Sequence, residues 1–85
     1  MSTTLAERVR EYAYTHHVKP AREAGKTEVK IRVSDIHREM GLRARMPSVY
    51  GALATRVFEQ DHNIKRLDII GLSLDENTTF IFSIR

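Results

Sequence analysis

An α+β fold in one domain spanning residues 1–85, with three helices and a small antiparallel sheet, is what this sequence predicts, and three observations carry the expectation. Apolar residues recur at helical spacing in three stretches of the first 60 residues. Residues 28–33 alternate strictly between apolar and charged side chains, as a half-buried strand does. The last 22 residues hold two β-rich runs on either side of a polar turn.

Thr4-Leu5-Ala6-Glu7 has the spacing of a capping box, so a helix starts there. Leu5, Val9, Tyr12, Ala13 and His16 form its apolar seam, with Glu7, Arg8, Glu11 and Thr15 on the other side. The helix is expected to end near Val18, because Lys19 precedes Pro20 and a residue before proline is pushed out of the α region. Residues 20–25 read as a short turn or an extra helical turn closed by Gly25. In 28–33 the β-branched Val29, Ile31 and Val33 share one face of a short strand, expected to be a small or an edge strand. Ser34 is the expected N-cap of the second helix, and Asp35 complements the dipole in its first turn. Gly41 stops that helix, and Leu42 is placed to pack back on Ile36.

The third helix is expected over 47–60, with Pro47 at a first helical position. At ~100° per residue, Met46, Val49, Tyr50, Leu53, Ala54, Val57 and Phe58 fill the core half of its wheel. Ser48, Gly51, Ala52, Thr55, Arg56 and Glu59 fill the other. Strands follow at 64–72 and 78–84, the second with Phe80, Phe82 and Ile84 on one face, joined by a hairpin loop at 73–77.

The chain carries 14 Lys+Arg and 11 Asp+Glu, a formal charge of +3. The excess is local. Residues 25–46 hold six bases (Lys26, Lys30, Arg32, Arg38, Arg43 and Arg45) against three acids, while the other stretches sum to zero. Such a cluster is what a phosphate-contacting surface requires. With no cysteine, disulfides, thiolate metal sites and cysteine nucleophiles are excluded. No stretch of 18 apolar residues occurs and the start lacks a secretory pattern, so no membrane association and a cytoplasmic location are expected. His16 and His17 are adjacent and point to different faces, so they do not pair as helical metal ligands, and His37 and His62 read as surface residues. No phosphate loop, carboxylate pair or nucleophile motif is present. The sequence therefore predicts neither an enzyme nor a cofactor or metal site.

The element order is helix, strand, helix, tight turn, helix, strand, hairpin loop, strand. With Val33-Ser34-Asp35-Ile36-His37-Arg38-Glu39-Met40-Gly41-Leu42 followed by Val49, Tyr50 and Leu53, the chain resembles the winged helix-turn-helix superfamily. In that family the Gly-Leu pair ends the first helix of the motif, and the later Val and Leu fix the recognition helix on the core. The resemblance spans nearly the whole chain in topology and is specific over about two dozen residues. It implies a small transcriptional regulator that binds double-stranded DNA, with the third helix in the major groove and the hairpin along the backbone.

Under that reading Arg43 and Arg45 reach phosphates or clamp guanine at the start of the recognition helix. Ser48, Gly51, Ala52, Thr55 and Arg56 face the groove, and Lys30, Arg32 and Lys65 add further DNA contacts. A homodimer is expected, because two half-sites multiply the affinity of one small module, with the first helix as the default contact. The competing expectation is a protein-interaction module or assembly subunit without DNA contact. Small residues such as Ser48, Gly51, Ala52 and Thr55 also suit packing against a partner helix. The loop acids Asp75 and Glu76 would be repelled by phosphates, which makes that hairpin a candidate contact for a protein partner.

Overall fold

Thr4 starts the first helix as its sequence requires, its Oγ1 accepting the Glu7 N–H at 3.1 Å. The computed structural model describes residues 3–71 and 77–84. Its elements are α1 (Leu5–Ala13), a π-helical stretch (Tyr14–Val18), α2 (Lys19–Glu23), β1 (Glu28–Arg32), α3 (Val33–Glu39), α4 (Met46–Ala54), α5 (Arg56–His62), β2 (Lys65–Ile70) and β3 (Thr79–Ser83). The α+β class with a small antiparallel sheet stands. The helices differ from expectation in three places.

The first helix does not end near Val18. Lys19 keeps helical angles (φ −60°, ψ −48°) although Pro20 follows it, and the backbone stays helical to Glu23. A proline in a helix removes one donor and crowds the carbonyl four residues back, here that of His16. The π turn accommodates this by carrying the bonding across five residues, with the Lys19 N–H donating to Tyr14 O. Val9, Ala13, Val18 and Ala21 are buried along this helix, whereas His16 is exposed and outside the core seam. Gly25 (φ +77°) closes α2 as expected, with Gly25 N–H bonded to Arg22 O and Lys26 N–H to Ala21 O.

β1 hands over to α3 without a loop. The Val33 N–H donates to Thr78 O at 2.9 Å, so α3 begins one residue after the strand, with Arg32 as its cap residue in place of Ser34. Gly41 (φ +69°) ends the helix with the same pair of bonds, Gly41 N–H to Arg38 O and Leu42 N–H to His37 O, and Leu42 lies against the core.

The expected single helix over 47–60 is two helices. Thr55 is extended (φ −80°, ψ 151°), and the carbonyls freed at the end of α4 find side-chain donors. Thr55 Oγ1 bonds Ala52 O at 3.2 Å, and Arg66 Nη1 bonds Ala54 O at 3.4 Å. The break keeps Phe58 buried but turns Val57 outward, 44 % exposed, against its expected core position. Asn63 ends α5 in the left-handed region (φ 54°).

The sheet order is β1-β3-β2, antiparallel throughout, with β1 at an edge as expected. Val29 and Ile31 pair with Phe82 and Phe80 on the core face, and the β2–β3 register shifts between Arg66 and Asp68. β2 is shorter than expected and is followed by Gly71 (φ +119°). The expected hairpin loop, Asn77 apart, lies outside the described residues.

The core gathers Val9, Val18, Ile31, Ile36, Val49, Leu53, Phe58, Phe80 and Phe82, all essentially without solvent contact. Phe82 lies parallel to Phe80 (6.0 Å between centroids) and edge-on to Phe58 (5.2 Å), while Tyr50 packs on Phe80 at 5.2 Å. Arg22 closes the far end, its Nε donating to Ile84 O at 2.9 Å and its Nη2 to Asn63 O at 2.8 Å. One α2 side chain thereby ties together the ends of α5 and β3. Among the described residues no helix is long and apolar enough to cross a membrane.

Candidate nucleic-acid interface

The α3–turn–α4 unit holds the two arginines singled out by the sequence. Leaving α3 through Gly41, the chain turns through Ala44, which sits at φ 53°, a left-handed conformation that costs a non-glycine residue about 1–2 kcal/mol. The following Arg45 N–H is held by His37 Nε2 at 3.2 Å. His37 is therefore no simple surface residue: it reaches from α3 to the residue that begins α4 and pins the turn. Arg43 and Arg45 are both exposed, and neither forms an ion pair among the described residues. Arg38 and Arg32, by contrast, both lean on Asp35, at 3.2 and 3.6 Å.

On α4, Ser48 and Gly51 are exposed, and Gly51 lies opposite the buried Val49. A Cβ at Gly51 would meet nothing within 4 Å, so no packing inside the chain requires glycine there. Ala52 corrects the expectation: it is 2 % exposed and cannot touch a ligand. It lies only about 60° from Val49 on the wheel, and α4 packs against both α1 and α3, so its buried arc is wider than the pattern of large apolar residues suggested. Thr55 is half-buried with its hydroxyl committed to Ala52 O. Arg56 is exposed but belongs to α5, beyond the break, and does not continue the face of α4.

Lys30, Arg32 and Lys65 lie elsewhere. In register with Ile81, Thr79 and Ser83, they occupy the sheet face turned away from the Phe80–Phe82 core. Because Tyr50 brings α4 onto the core side of that sheet, the structure does not bring these three bases together with Arg43 and Arg45. The candidate interface thus contracts to Arg43, Arg45, Ser48 and Gly51.

Sequence reasoning passed over two clusters. Glu39 Oε1, at the end of α3, accepts Tyr12 Oη–H and pairs with His17 Nε2, each at 3.0 Å, joining the first helix to the motif. Desolvation alone would raise the Glu39 pKa. The hydrogen bonds from His17 and Tyr12 and the charges of His17 and Arg38 outweigh it, and the carboxyl titrates below its ordinary value. His62 is also more than a surface residue, stacked on Tyr14 at 4.1 Å and edge-on to Phe58 at 5.5 Å. Neither cluster had a local signal, since each joins residues far apart in sequence or at odds with simple polarity.

Burial lowers the His62 pKa, with Arg22 and Arg10 acting in the same sense and Asp61 and Glu11 opposing. The unfolded chain therefore binds the proton more readily. The resulting stability is fully present above the ordinary histidine value of about 6.5. It is lost as the pH falls through the lower folded value. Melting curves between pH 7.5 and 5 are expected to show this loss, and His62→Phe, which keeps the ring but cannot titrate, to flatten it.

Among the described residues no group of three or more His, Asp or Glu side chains could hold a metal ion. Comparison of the chain with protein-family models, with curated proteins and with solved structures found no match.

Proposed function

We propose that this protein binds double-stranded DNA as a winged helix-turn-helix module, laying α4 in the major groove and serving as a small transcriptional regulator. The observation that carries the reading is the turn before α4. There a strained Ala44 and the His37–Arg45 bond hold two exposed arginines, without an ion pair among the described residues, at the start of a helix whose exposed positions are small residues. Arginine in this position supplies phosphate neutralisation and bidentate guanine recognition. Ser48 and Gly51 leave the backbone free to approach base edges. The order β1-β3-β2 and the α3–turn–α4 unit before β2 agree with the same architecture. One small module offers limited affinity, and two copies on adjacent half-sites would raise it.

Gly51 provides a two-sided test. Glycine inside a helix costs roughly 0.5–1 kcal/mol relative to alanine, and space is open around its Cβ position. Gly51→Ala is therefore expected to raise the melting temperature while weakening duplex binding several-fold, as measured by thermal denaturation and fluorescence anisotropy. A more stable variant with unchanged DNA affinity would take the duplex away from α4.

A protein-interaction role is the second reading, favoured by one observation. The three large apolar side chains exposed among the described residues, Val57, Leu67 and Ile70, all fall within α5 and β2.

A further inference from the structure

β1 is an edge strand, with β3 on one side and no strand of the described residues on the other. Its open side follows from the ladder. The Val33 N–H donates to Thr78 O, and Thr27 O accepts the Ile84 N–H. Bonding direction alternates along a strand, so Thr27, Val29, Ile31 and Val33 bond β3. The backbone groups of Glu28 and Lys30 point the other way, and among the described residues no hydrogen bond takes either N–H. The opposite edge is closed by comparison, since on β2 the Arg66 N–H is given to Glu59 Oε1 at 2.9 Å and the Ile69 N–H to Asp68 Oδ1 at 2.8 Å. Beside β1 lies a groove of about 510 Å³, with Pro20, Ala21 and Ala24 on its helical wall and Val29 and Lys30 on its strand wall. An added strand can therefore reach the edge.

We propose that the open edge of β1 pairs antiparallel with the same strand of a second copy of this chain, about a two-fold axis through Val29. Self-complementary charge identifies the occupant. Glu28 and Lys30 are exposed, share the outer face of the sheet and form no ion pair among the described residues. Pairing about Val29 sets Glu28 of each copy opposite Lys30 of the other, at positions that exchange both backbone bonds. A lysine on an edge discourages most strands, and here the second copy supplies its counter-charge. Pairing about Lys30 would set two lysines face to face, so charge also selects the register. On the inner face the half-buried Val29 meets Val29 of the second copy beside the apolar wall of the groove, which removes further apolar surface from water. The proposal is independent of DNA binding, and it moves the expected contact between copies from the first helix to β1.

Sedimentation of the full chain at rising concentration, without DNA, is the test. The wild type is expected to dimerise reversibly, with the Glu28 and Lys30 amides open to exchange in the monomer and protected in the dimer. Glu28→Lys and Lys30→Glu should each weaken self-association at least about tenfold, because opposite-charge pairs become like-charge pairs. Mixing the two variants should restore association as a heterodimer, since every cross-strand pair is then opposite in sign. Both side chains are exposed, and circular dichroism checks that each variant folds. A wild type that stays monomeric up to millimolar concentration would overturn the proposal. So would a dimer that both variants leave unchanged, or a mixture that associates no better than its components. Should either variant fail to fold, wild-type dimerisation that leaves the Glu28 and Lys30 amides exchanging freely would overturn it equally.

Discussion

Replacing Phe82 with alanine is expected to destabilise the fold by about 3–5 kcal/mol, the range for removing a buried aromatic ring. Phe82 is fully buried in the central strand, lies parallel to Phe80, meets the Phe58 ring edge-on and faces Val29 across the sheet. Its ring is therefore where β1, β3 and α5 meet. A domain of this length has about 4–13 kcal/mol in total, at roughly 0.05–0.15 kcal/mol per residue, so the variant should be partly or wholly unfolded at ambient temperature. Urea denaturation followed by circular dichroism measures the effect. Leu67→Ala, at a site 52 % exposed, is the matching control and should stay within about 0.5 kcal/mol of the wild type. Equal costs at the two sites would mean that the sheet does not close over the core as described.

The second large effect concerns binding. Changing Arg43 and Arg45 together to alanine should lower duplex affinity by at least about fivefold per arginine, since a good bidentate base contact contributes about 1–3 kcal/mol. If both side chains instead neutralise phosphates, the slope of log affinity against log salt should flatten by about 1.8, at about 0.9 per phosphate. Folding should be almost unaffected, because both side chains are exposed and neither forms an ion pair among the described residues. The parallel change of Lys30 and Lys65, which lie on the far face of the sheet, should reduce affinity much less. This contrast separates a localised interface from general basicity.

The strands and the glycine-terminated helices were legible because their causes are local. Alternation in 28–33 reports a half-buried strand wherever it lies, and Gly25 and Gly41 adopt the left-handed conformation that glycine permits at a helix end. The departures came from interactions that the apolar pattern does not carry, one local and two at a distance. Lys19 was read by the rule for a residue before proline, but a π turn absorbed the proline and the helix went on. Apolar spacing ran unbroken through Val57 and Phe58, so nothing periodic marked the break at Thr55. That break depends on Thr55 and on Arg66, eleven residues further on, to satisfy the end of α4. Ala52 was placed outward because a small residue does not declare a face, and only the packing of α1 and α3 on α4 decides its burial.

The candidate site was legible in part. Arg43, Arg45, Ser48 and Gly51 are exposed where the sequence put them, on the turn and outer face of α4. The bond from Arg45 to His37 had no precursor in the pattern, nor did the left-handed Ala44, since alanine is not a residue that signals such a turn. Lys30, Arg32 and Lys65 show the converse. Basic residues in one stretch of sequence were divided between two faces once β1 joined the sheet.

The central claim is that α4 and the turn before it meet duplex DNA. It is tested most directly by titrating isotopically labelled wild-type protein with a short duplex at low salt and following each backbone amide by NMR. Shifts centred on Arg43, Arg45, Ser48 and Gly51, lost as salt is raised, are expected. No binding at low salt, or shifts confined to α5 and β2, would contradict it.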